Sequence, residues 1–398
     1  MIASMSVQRL PQYFTMHWKA IASYGGLCAV LAGALLWRLN NLVPGYSQSE
    51  VQTYQASLNL EGILDNPLNA PFLLLVKALT YIHPDSFLSV RVAAVACGLA
   101  VLVIFAVILG RWHDTRTALL GTLLFGLSAW FLHTARLGTP DILLFGIFVL
   151  MACGFWLKRT NNWLALLLCF LLTTALLYVP GMIWFITLGV IWQWKIIDHI
   201  FKKHLPVVTL AGFAMLGALA PLGWALYKNH ALIKPWLGLP HNWPTPLEMI
   251  QNVLQMPFHF FVRNETNPVA WLGSAPILDV FCLTMFVLGG YLYLRHFRLA
   301  RAPIFISVLV VALGLIMVGS SVTYSVIMPF VYLIIAAGVS HLLNLWFGVF
   351  PRNPIARGIG WGLAGALIAI VCAYHTIHYF VGWPQASATH EVFTLQKP

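Results

Sequence analysis

The chain has 398 residues, of which 60% are hydrophobic and only 8% are charged, and its mean hydropathy is +0.83. This composition excludes a soluble globular domain and is typical of a protein that crosses a membrane several times. The apolar runs are continuous rather than alternating, so they predict transmembrane helices and exclude a membrane β-barrel. The net charge of +11 is explained by basic loops beside the membrane, so it does not indicate nucleic-acid binding.

Apolar runs recur along the whole chain, many of them near the length of about 20 residues that a spanning helix needs. We expect an all-α polytopic protein with one transmembrane domain over residues 1–398, about eleven spans, and no soluble C-terminal domain. The Pro-Gly pair within residues 178–181 predicts a tight turn between two spans. The predicted spans are 20–37, 86–110, 117–134, 141–157, 163–178, 180–194, 206–227, 277–294, 303–320, 324–347 and 358–380.

The distribution of lysine and arginine predicts the orientation of these spans. More basic residues fall on the side of the N-terminus, which places that terminus in the cytoplasm of a cell with an inner (plasma) membrane. Two long segments, 38–85 and 228–276, then lie on the outer face. The first contains a polar helix at Ser47–Leu60, with Ser47 or Ser49 as N-cap, and an interfacial helix at Pro71–Ile82. The second contains an interfacial helix at Pro246–Val262.

The segment ARLGTPD, at residues 135–141, joins two spans on the predicted outer face. Arg136 and Asp141 are ionisable residues at the ends of apolar runs, and such residues mark functional sites in membrane proteins. Structural roles also fit them. Asp141 has the position of a helix N-cap beside Pro140, and Arg136 has that of an interfacial anchor or an ion-pair partner of Asp141.

Other charged residues of the outer segments complete a candidate site. Glu50 and Asp65 offer carboxylates that can act as general bases, although Glu50 also fits the first turn of a helix. Lys77, Arg91 and Arg263 offer cations that can stabilise a leaving phosphate, or that can anchor lipid headgroups.

Histidine and cysteine spacing does not predict a metal site. The six cysteines lie in apolar runs without paired spacing, which favours core packing over disulfides or metal ligands. His375 and His378 are three residues apart, and polar packing is favoured for them too. A divalent cation shared by Glu50 and Asp141 remains an open alternative.

The order of these segments resembles the GT-C superfamily of integral membrane glycosyltransferases, in the branch of protein O-mannosyltransferases and lipid A aminoarabinose transferases. The resemblance covers most of the chain and is greatest over residues 46–160. It rests on the ordered set of segments Tyr46–Leu58, Asn69–Leu79, Ser86–Phe145, Asn267–Phe281 and Tyr324–Gly338.

This resemblance implies a GT-C transmembrane module that uses a polyprenyl-phosphate-linked sugar as donor. The acceptor would be a lipid, a glycan or a protein, and transfer would be direct and inverting on the outer face. The implied base is Glu50, with Asp65 as a second acid, while Asp141 positions the acceptor or orients a cation. Arg136, with help from Arg91, Lys77 or Arg263, would hold the donor phosphate.

Three departures from the family pattern leave other functions open. Ser49 replaces the usual aspartate of the acidic pair, Asn69 replaces a basic residue, and Val322-Thr323 stand where many relatives have an arginine or histidine. A catalytically degenerate scaffold subunit is therefore one alternative. A transporter or flippase for lipid-linked sugars is another, although no internal repeat supports it.

Overall fold

The computed structural model describes residues 10–82, 86–159, 163–263, 275–296, 301–320 and 322–395. Within these ranges the chain is helical, and β-pairing is confined to one isolated bridge between Tyr46 and Leu395. The predicted all-α polytopic membrane class is confirmed.

Every predicted apolar run coincides with helix, and the two long loops contain helices of their own. The bounds are α1 Leu10–Leu36, α2 Gln48–Leu58, α3 Leu60–Asp65, α4 Ala70–Ile82, α5 Leu88–Trp112, α6 Thr115–Gly126, α7 Ala129–Arg136, α8 Ile147–Arg159, α9 Trp163–Leu177, α10 Met182–Lys203, α11 Leu205–Lys228, α12 Ile233–Trp236, α13 Pro246–Phe261, α14 Val280–Arg295, α15 Arg301–Met317, α16 Met328–Val349, α17 Pro354–Ile377, α18 Trp383–Gln385 and α19 Ser387–Val392. Short 3₁₀ helices occupy Pro140–Gly146, His230–Leu232 and Tyr324–Val326, and a π-helix at His378–Gly382 continues α17.

Among the described residues, four continuous helices are long and apolar enough to cross a membrane: α5, α11, α16 and the segment Pro354–Gln385. α6 and α7 form a fifth such element if they are taken together, but they meet at an angle of 65°. Ser128 makes this bend, because its side chain accepts a hydrogen bond from the amide of Phe131 and starts a new helix. The count of about eleven spans stays a prediction.

The predicted turn between α9 and α10 is present. Gly181 there has φ = +74°, a conformation that side chains with a Cβ rarely adopt. Deeper in the bundle, α14 and α16 approach closely at Gly289 and Gly338. A Cβ on either glycine would collide with backbone of the other helix. Such small-residue contacts are the usual means of packing helices in a membrane.

The cysteines are all free thiols among the described residues, as predicted. Cys153, Cys169, Cys282 and Cys372 are buried, which fits core packing, whereas Cys28 is exposed on α1. Cys28 therefore departs from the prediction of core packing, because it is exposed among the described residues.

Candidate functional site

The Glu50 carboxylate accepts hydrogen bonds from the start of α2, from α5 and from the turn after α7. Ser47 caps α2 and forms a capping box with Glu50, whose Oε2 accepts the Ser47 amide at 2.9 Å. Arg91 on α5 donates from Nε to Oε1 at 2.7 Å and from Nη2 to Oε2 at 3.0 Å. The amide of Gly138 donates to Oε1 at 3.1 Å. Four N–H groups thus fill the roughly four lone-pair positions of this carboxylate, and Glu50 is 0% exposed.

Four of the five N–H donors of Arg91 have partners in this arrangement. Its Nη1 donates to the carbonyl of Leu39 at 3.1 Å, and its Nη2 also donates to the carbonyl of Gly45 at 2.9 Å. The guanidinium lies 4.2 Å from the centre of the Tyr46 ring. The pair with Glu50 is bidentate, the strongest geometry for such ions. It joins α5 to α2 and to the loop before α2.

Arg136 at the end of α7 lies nearby but has a different set of partners. Its Nη1 and Nη2 donate to the carbonyls of Ala34 and Trp37 at 2.9 and 2.7 Å, so that it caps the C-terminal end of α1. The guanidinium also lies 4.7 Å from the Phe380 ring centre. The predicted ion pair with Asp141 is absent from the ion pairs of the described residues. Arg136 is 3% exposed, and its Nε is buried without a hydrogen-bond partner.

Both arginines border one partly open cavity of about 260 Å³, a volume that includes space open to solvent. Of its lining residues, Arg91 and Arg136 are cationic and Glu50 is the single carboxylate, which leaves one positive charge without a counter-charge. A buried charge without a partner is costly. The cavity is therefore suited to a small anionic group.

The C-terminal segment forms one wall of this cavity, a feature that the sequence did not predict. Tyr379, Trp383 and Phe393 line it, and Phe393 is 0% exposed. The segment returns to the first loop, where the Tyr46 amide donates to the Leu395 carbonyl at 3.1 Å. Tyr379 falls at the end of the last predicted span, whereas Trp383 and Phe393 follow it in a segment for which the sequence predicts no contact with the first loop.

Asp141 belongs to the turn that also holds Glu50, because Gly138 precedes it by only three residues. The expectation that Asp141 is an N-cap is wrong: Thr139 is the cap, Pro140 is the first residue, and Asp141 lies in the first turn of a 3₁₀ helix. Its Oδ2 accepts one hydrogen bond, from the Thr139 hydroxyl at 3.1 Å. Asp141 is partly exposed and is not among the residues that line the cavity.

The remaining candidates lie away from this cavity. Lys77 on α4 donates to the carbonyl of Leu58 at 2.7 Å and thereby caps the end of α2. Asp65 pairs with Lys228 at 3.3 Å, with both side chains more than half exposed. Arg263 is exposed just after α13. None of these three lines the cavity of Glu50 and Arg136.

Comparison with known proteins identifies the fold. No family model and no curated protein matches the chain. A solved structure does match: ArnT from Cupriavidus metallidurans in the apo state, with a TM-score of 0.54 and 13% sequence identity. The alignment covers 94% of this chain and 78% of the ArnT chain. The chain thus has a fold like that of ArnT, a GT-C enzyme, and the resemblance drawn from the sequence is confirmed at the level of fold.

Proposed function

We propose that this protein is a membrane glycosyltransferase that moves a sugar from a polyprenyl-phosphate donor to a lipid, glycan or protein acceptor. The observation that carries the proposal is the excess positive charge at Arg136 beside a partly open cavity in an ArnT-like fold. A phosphate group would supply the missing negative charge, and the unpartnered Nε of Arg136 would donate to it. We place the reaction on the outer face of an inner membrane, following the predicted topology.

We assign the general base to Asp141 rather than to Glu50. A base must offer a lone pair to the proton that it removes. Glu50 would have to give up one of its N–H donors to do so, whereas Asp141 accepts only the Thr139 hydroxyl. Three residues span at most about 10 Å, so Asp141 lies within that distance of Gly138 along the chain, and a substrate that meets Asp141 must extend beyond the residues that line the cavity.

The reaction follows from these positions. The Asp141 carboxylate takes the proton of the acceptor hydroxyl or amine, and the acceptor atom attacks the anomeric carbon of the donor sugar. The bond between that carbon and the phosphate oxygen breaks with its electron pair on oxygen. Arg136 stabilises the developing charge on the phosphate. Attack opposite the leaving group inverts the anomeric configuration, and Glu50 keeps Arg91 and the turn at Gly138 in place.

The same geometry does not favour a metal ion shared by Glu50 and Asp141, because the donors around Glu50 leave no lone pair for one. It also gives Lys77, Asp65 and Arg263 no part in the chemistry. Lys77 and Asp65 are engaged elsewhere, and Arg263 is exposed beyond the site.

A degenerate scaffold is the second candidate, and two observations favour it. Ser49 provides no carboxylate in the acidic pair, and the cavity at Arg136 is small: its volume of about 260 Å³ already includes space open to solvent, whereas ligand sites typically offer roughly 300–1,000 Å³. A lipid-linked sugar therefore needs room beyond this cavity, and we expect the segment containing Trp383 and Phe393 to move when it binds. A scaffold would need no such movement.

The deciding experiment measures transfer from a panel of radiolabelled polyprenyl-phosphate sugars by the purified protein in proteoliposomes, with membrane extracts as the acceptor source. We expect transfer from at least one donor, and a loss of about 10³-fold in Asp141→Asn. Asp65→Asn is the matched control and should keep full activity, because Asp65 forms an exposed pair. Undiminished transfer by Asp141→Asn would refute the assignment of the base. No transfer by the wild type from any donor would support the scaffold.

A further inference from the structure

A second group of ionisable side chains lies where α14 begins and α17 ends. It consists of Asp279, Cys282 and His375, whose potential ligand atoms all lie within 4.8 Å of one another. Cys282 is 0% exposed, and the side chains of His375 and Asp279 are 5% and 12% exposed. These residues do not line the cavity at Arg136, and the proposed transfer reaction does not use them.

Helix geometry brings the three side chains together. Asp279 is the N-cap of α14, and its Oδ1 accepts the amides of Phe281 and Cys282 at 2.8 and 3.1 Å. This leaves Oδ2 directed toward α17, where it lies 2.9 Å from Nε2 of His375. Cys282 follows Asp279 by three residues, so both side chains lie on one face of the first turn.

We propose that Asp279, Cys282 and His375 bind one zinc ion. A thiolate, an imidazole nitrogen and a carboxylate oxygen are the three ligand types that Zn²⁺ takes in proteins. The charges also balance, because Zn²⁺ with one carboxylate, one thiolate and a neutral imidazole has no net charge. Neutrality matters in a site this deeply buried, where an uncompensated charge is costly.

The distances require only small movements to accept the ion. A tetrahedral zinc ion holds its oxygen and nitrogen ligands about 3.3 Å apart and its sulfur and nitrogen ligands about 3.6 Å apart. The ion therefore takes the place of the proton between Asp279 and His375, whose atoms are now 2.9 Å apart. The Cys282 thiol, at no more than 4.8 Å from either atom, moves inward by about 1 Å at most.

A buried hydroxyl beside the group is a second observation. Tyr332 on α16 lies near Cys282 and Asp279. It is 1% exposed, and its hydroxyl faces the side chains of Ser128 and Cys282 without a hydrogen bond of ordinary geometry to either. Buried polar groups without partners are rare in native proteins. Zinc with three protein ligands commonly carries a water in its fourth position, and such a water gives Tyr332 a partner.

The ion would join α14 to α17 at His375, near the end of α17. Tyr379, which lines the cavity at Arg136, follows His375 by one helical turn. A zinc ion at His375 therefore fixes the π-helix that carries Tyr379. Without the ion, the same residues form only a hydrogen bond between two helices.

The test uses the full-length protein, purified in detergent without a polyhistidine tag and dialysed against micromolar free Zn²⁺. Elemental analysis should find about one zinc per chain. Cys282→Ala and His375→Gln should bind zinc at least about 100-fold more weakly, since even changes outside the ligand set cost 10–100-fold. Cys97→Ala is the matched control, because Cys97 lies on α5 outside the group, and it should retain the ion.

Cobalt substitution adds a spectroscopic readout, and its wild-type result does not depend on any variant folding. Co²⁺ bound to the wild type should show the charge-transfer absorption of a cobalt–thiolate bond, which Cys97→Ala keeps and Cys282→Ala loses. A wild type that retains no zinc after dialysis overturns the proposal. So does cobalt-loaded wild type without a thiolate band, or equal zinc retention by Cys282→Ala and Cys97→Ala.

Discussion

The candidate site contains two pairs of an arginine and a carboxylate, and the two pairs differ in how completely their polar atoms are hydrogen-bonded. On one side, Glu50 and Arg91 form a bidentate pair in which every polar atom of the carboxylate has a donor. On the other side, Arg136 and Asp141 are five residues apart in sequence but form no ion pair with each other. Arg136 contacts main-chain carbonyls, and Asp141 contacts one hydroxyl.

This difference in hydrogen bonding distinguishes residues that hold the structure from residues that are available to a substrate. A buried pair with complete hydrogen bonding holds its surroundings rigidly, and neither partner is available to a substrate. A buried cation without a counter-ion and a carboxylate with open lone pairs cost stability, and such groups are typical of functional sites. The comparison therefore agrees with the proposed roles, in which Glu50 and Arg91 hold the site in position while Arg136 and Asp141 act in the chemistry.

The largest expected effect comes from breaking the saturated pair. Arg91→Met leaves Glu50 charged and buried without its partner, which should lower the free energy of unfolding by about 3–5 kcal/mol. Thermal unfolding of the solubilised protein, followed by circular dichroism, measures this loss. The double variant Glu50→Leu with Arg91→Met should recover much of it, because two apolar residues leave no uncompensated charge. A double variant as unstable as Arg91→Met alone would contradict this account of the pair.

The second effect separates the two carboxylates by the pH dependence of transfer. Asp141 must be ionised to act as a base, so the wild-type rate should fall at acidic pH as Asp141 takes up a proton. Asp141→Asn should be slower by about 10³-fold, which corresponds to about 4 kcal/mol in the barrier. Its remaining rate should no longer fall at acidic pH, so the acidic limb of the pH–rate profile is lost. Glu50→Gln should keep the limb, although the protein is less stable. Loss of the limb in Glu50→Gln instead would return the role of base to Glu50.

The third effect concerns the unpaired arginine. Arg136→Met should raise KM for the lipid-phosphate donor by roughly 100-fold, since a charge-assisted phosphate contact is lost, while stability falls by only about 1–2 kcal/mol. Arg136→Lys keeps the charge and tests whether the fork of the guanidinium is needed. Steady-state kinetics with varied donor gives the KM of each variant, and thermal unfolding gives the change in stability. If Arg136→Met has the same KM as the wild type, the donor phosphate does not bind in this cavity.

The smallest effect on stability is expected at Asp114, an exposed carboxylate that belongs to neither pair. Asp114 caps α6, and its pKa is lower than usual. Partial desolvation is the largest single influence and raises the pKa, but the hydrogen bonds from the Thr117 side chain and amide lower it by more in total. The ionised cap thus adds stability above the ordinary pKa of about 4, and this contribution is lost as the pH falls through the lowered value. Asp114→Ala should cost about 0.5 kcal/mol at neutral pH. Unfolding at pH 7 and at pH 3 measures it, with Asp198→Ala as the exposed control.

Much of the fold was predictable because it depends on local sequence. Continuous apolar runs predict helices, since a chain in lipid must satisfy its own backbone, and all eleven runs are helical. Ser47 and Glu50 predict a capped helix because their spacing of three residues brings each side chain to the other's amide. The turn at Gly181 follows from Pro180 and Gly181 for the same local reason.

The candidate site was only partly predictable. Glu50, Arg91, Arg136 and Asp141 were identified by charge, but their partners were not. Arg91 is 41 residues from Glu50, and His375 is 96 residues from Asp279, so their contacts depend on how helices pack and at what register. Phe393, whose position at the cavity depends on the return of the C-terminal segment to Tyr46, gave no sequence signal at all.

The sequence by itself determined which residues are apolar enough to enter a membrane, where helices begin, and which few ionisable residues are too costly to be incidental. Only the tertiary structure decided that Glu50 is saturated, that Arg136 lacks a counter-charge, and that Asp279, Cys282 and His375 meet. The physical reason is that helix formation is fixed by backbone hydrogen bonds within about four residues. The state of a charged side chain is set by whatever the packing of distant helices places around it.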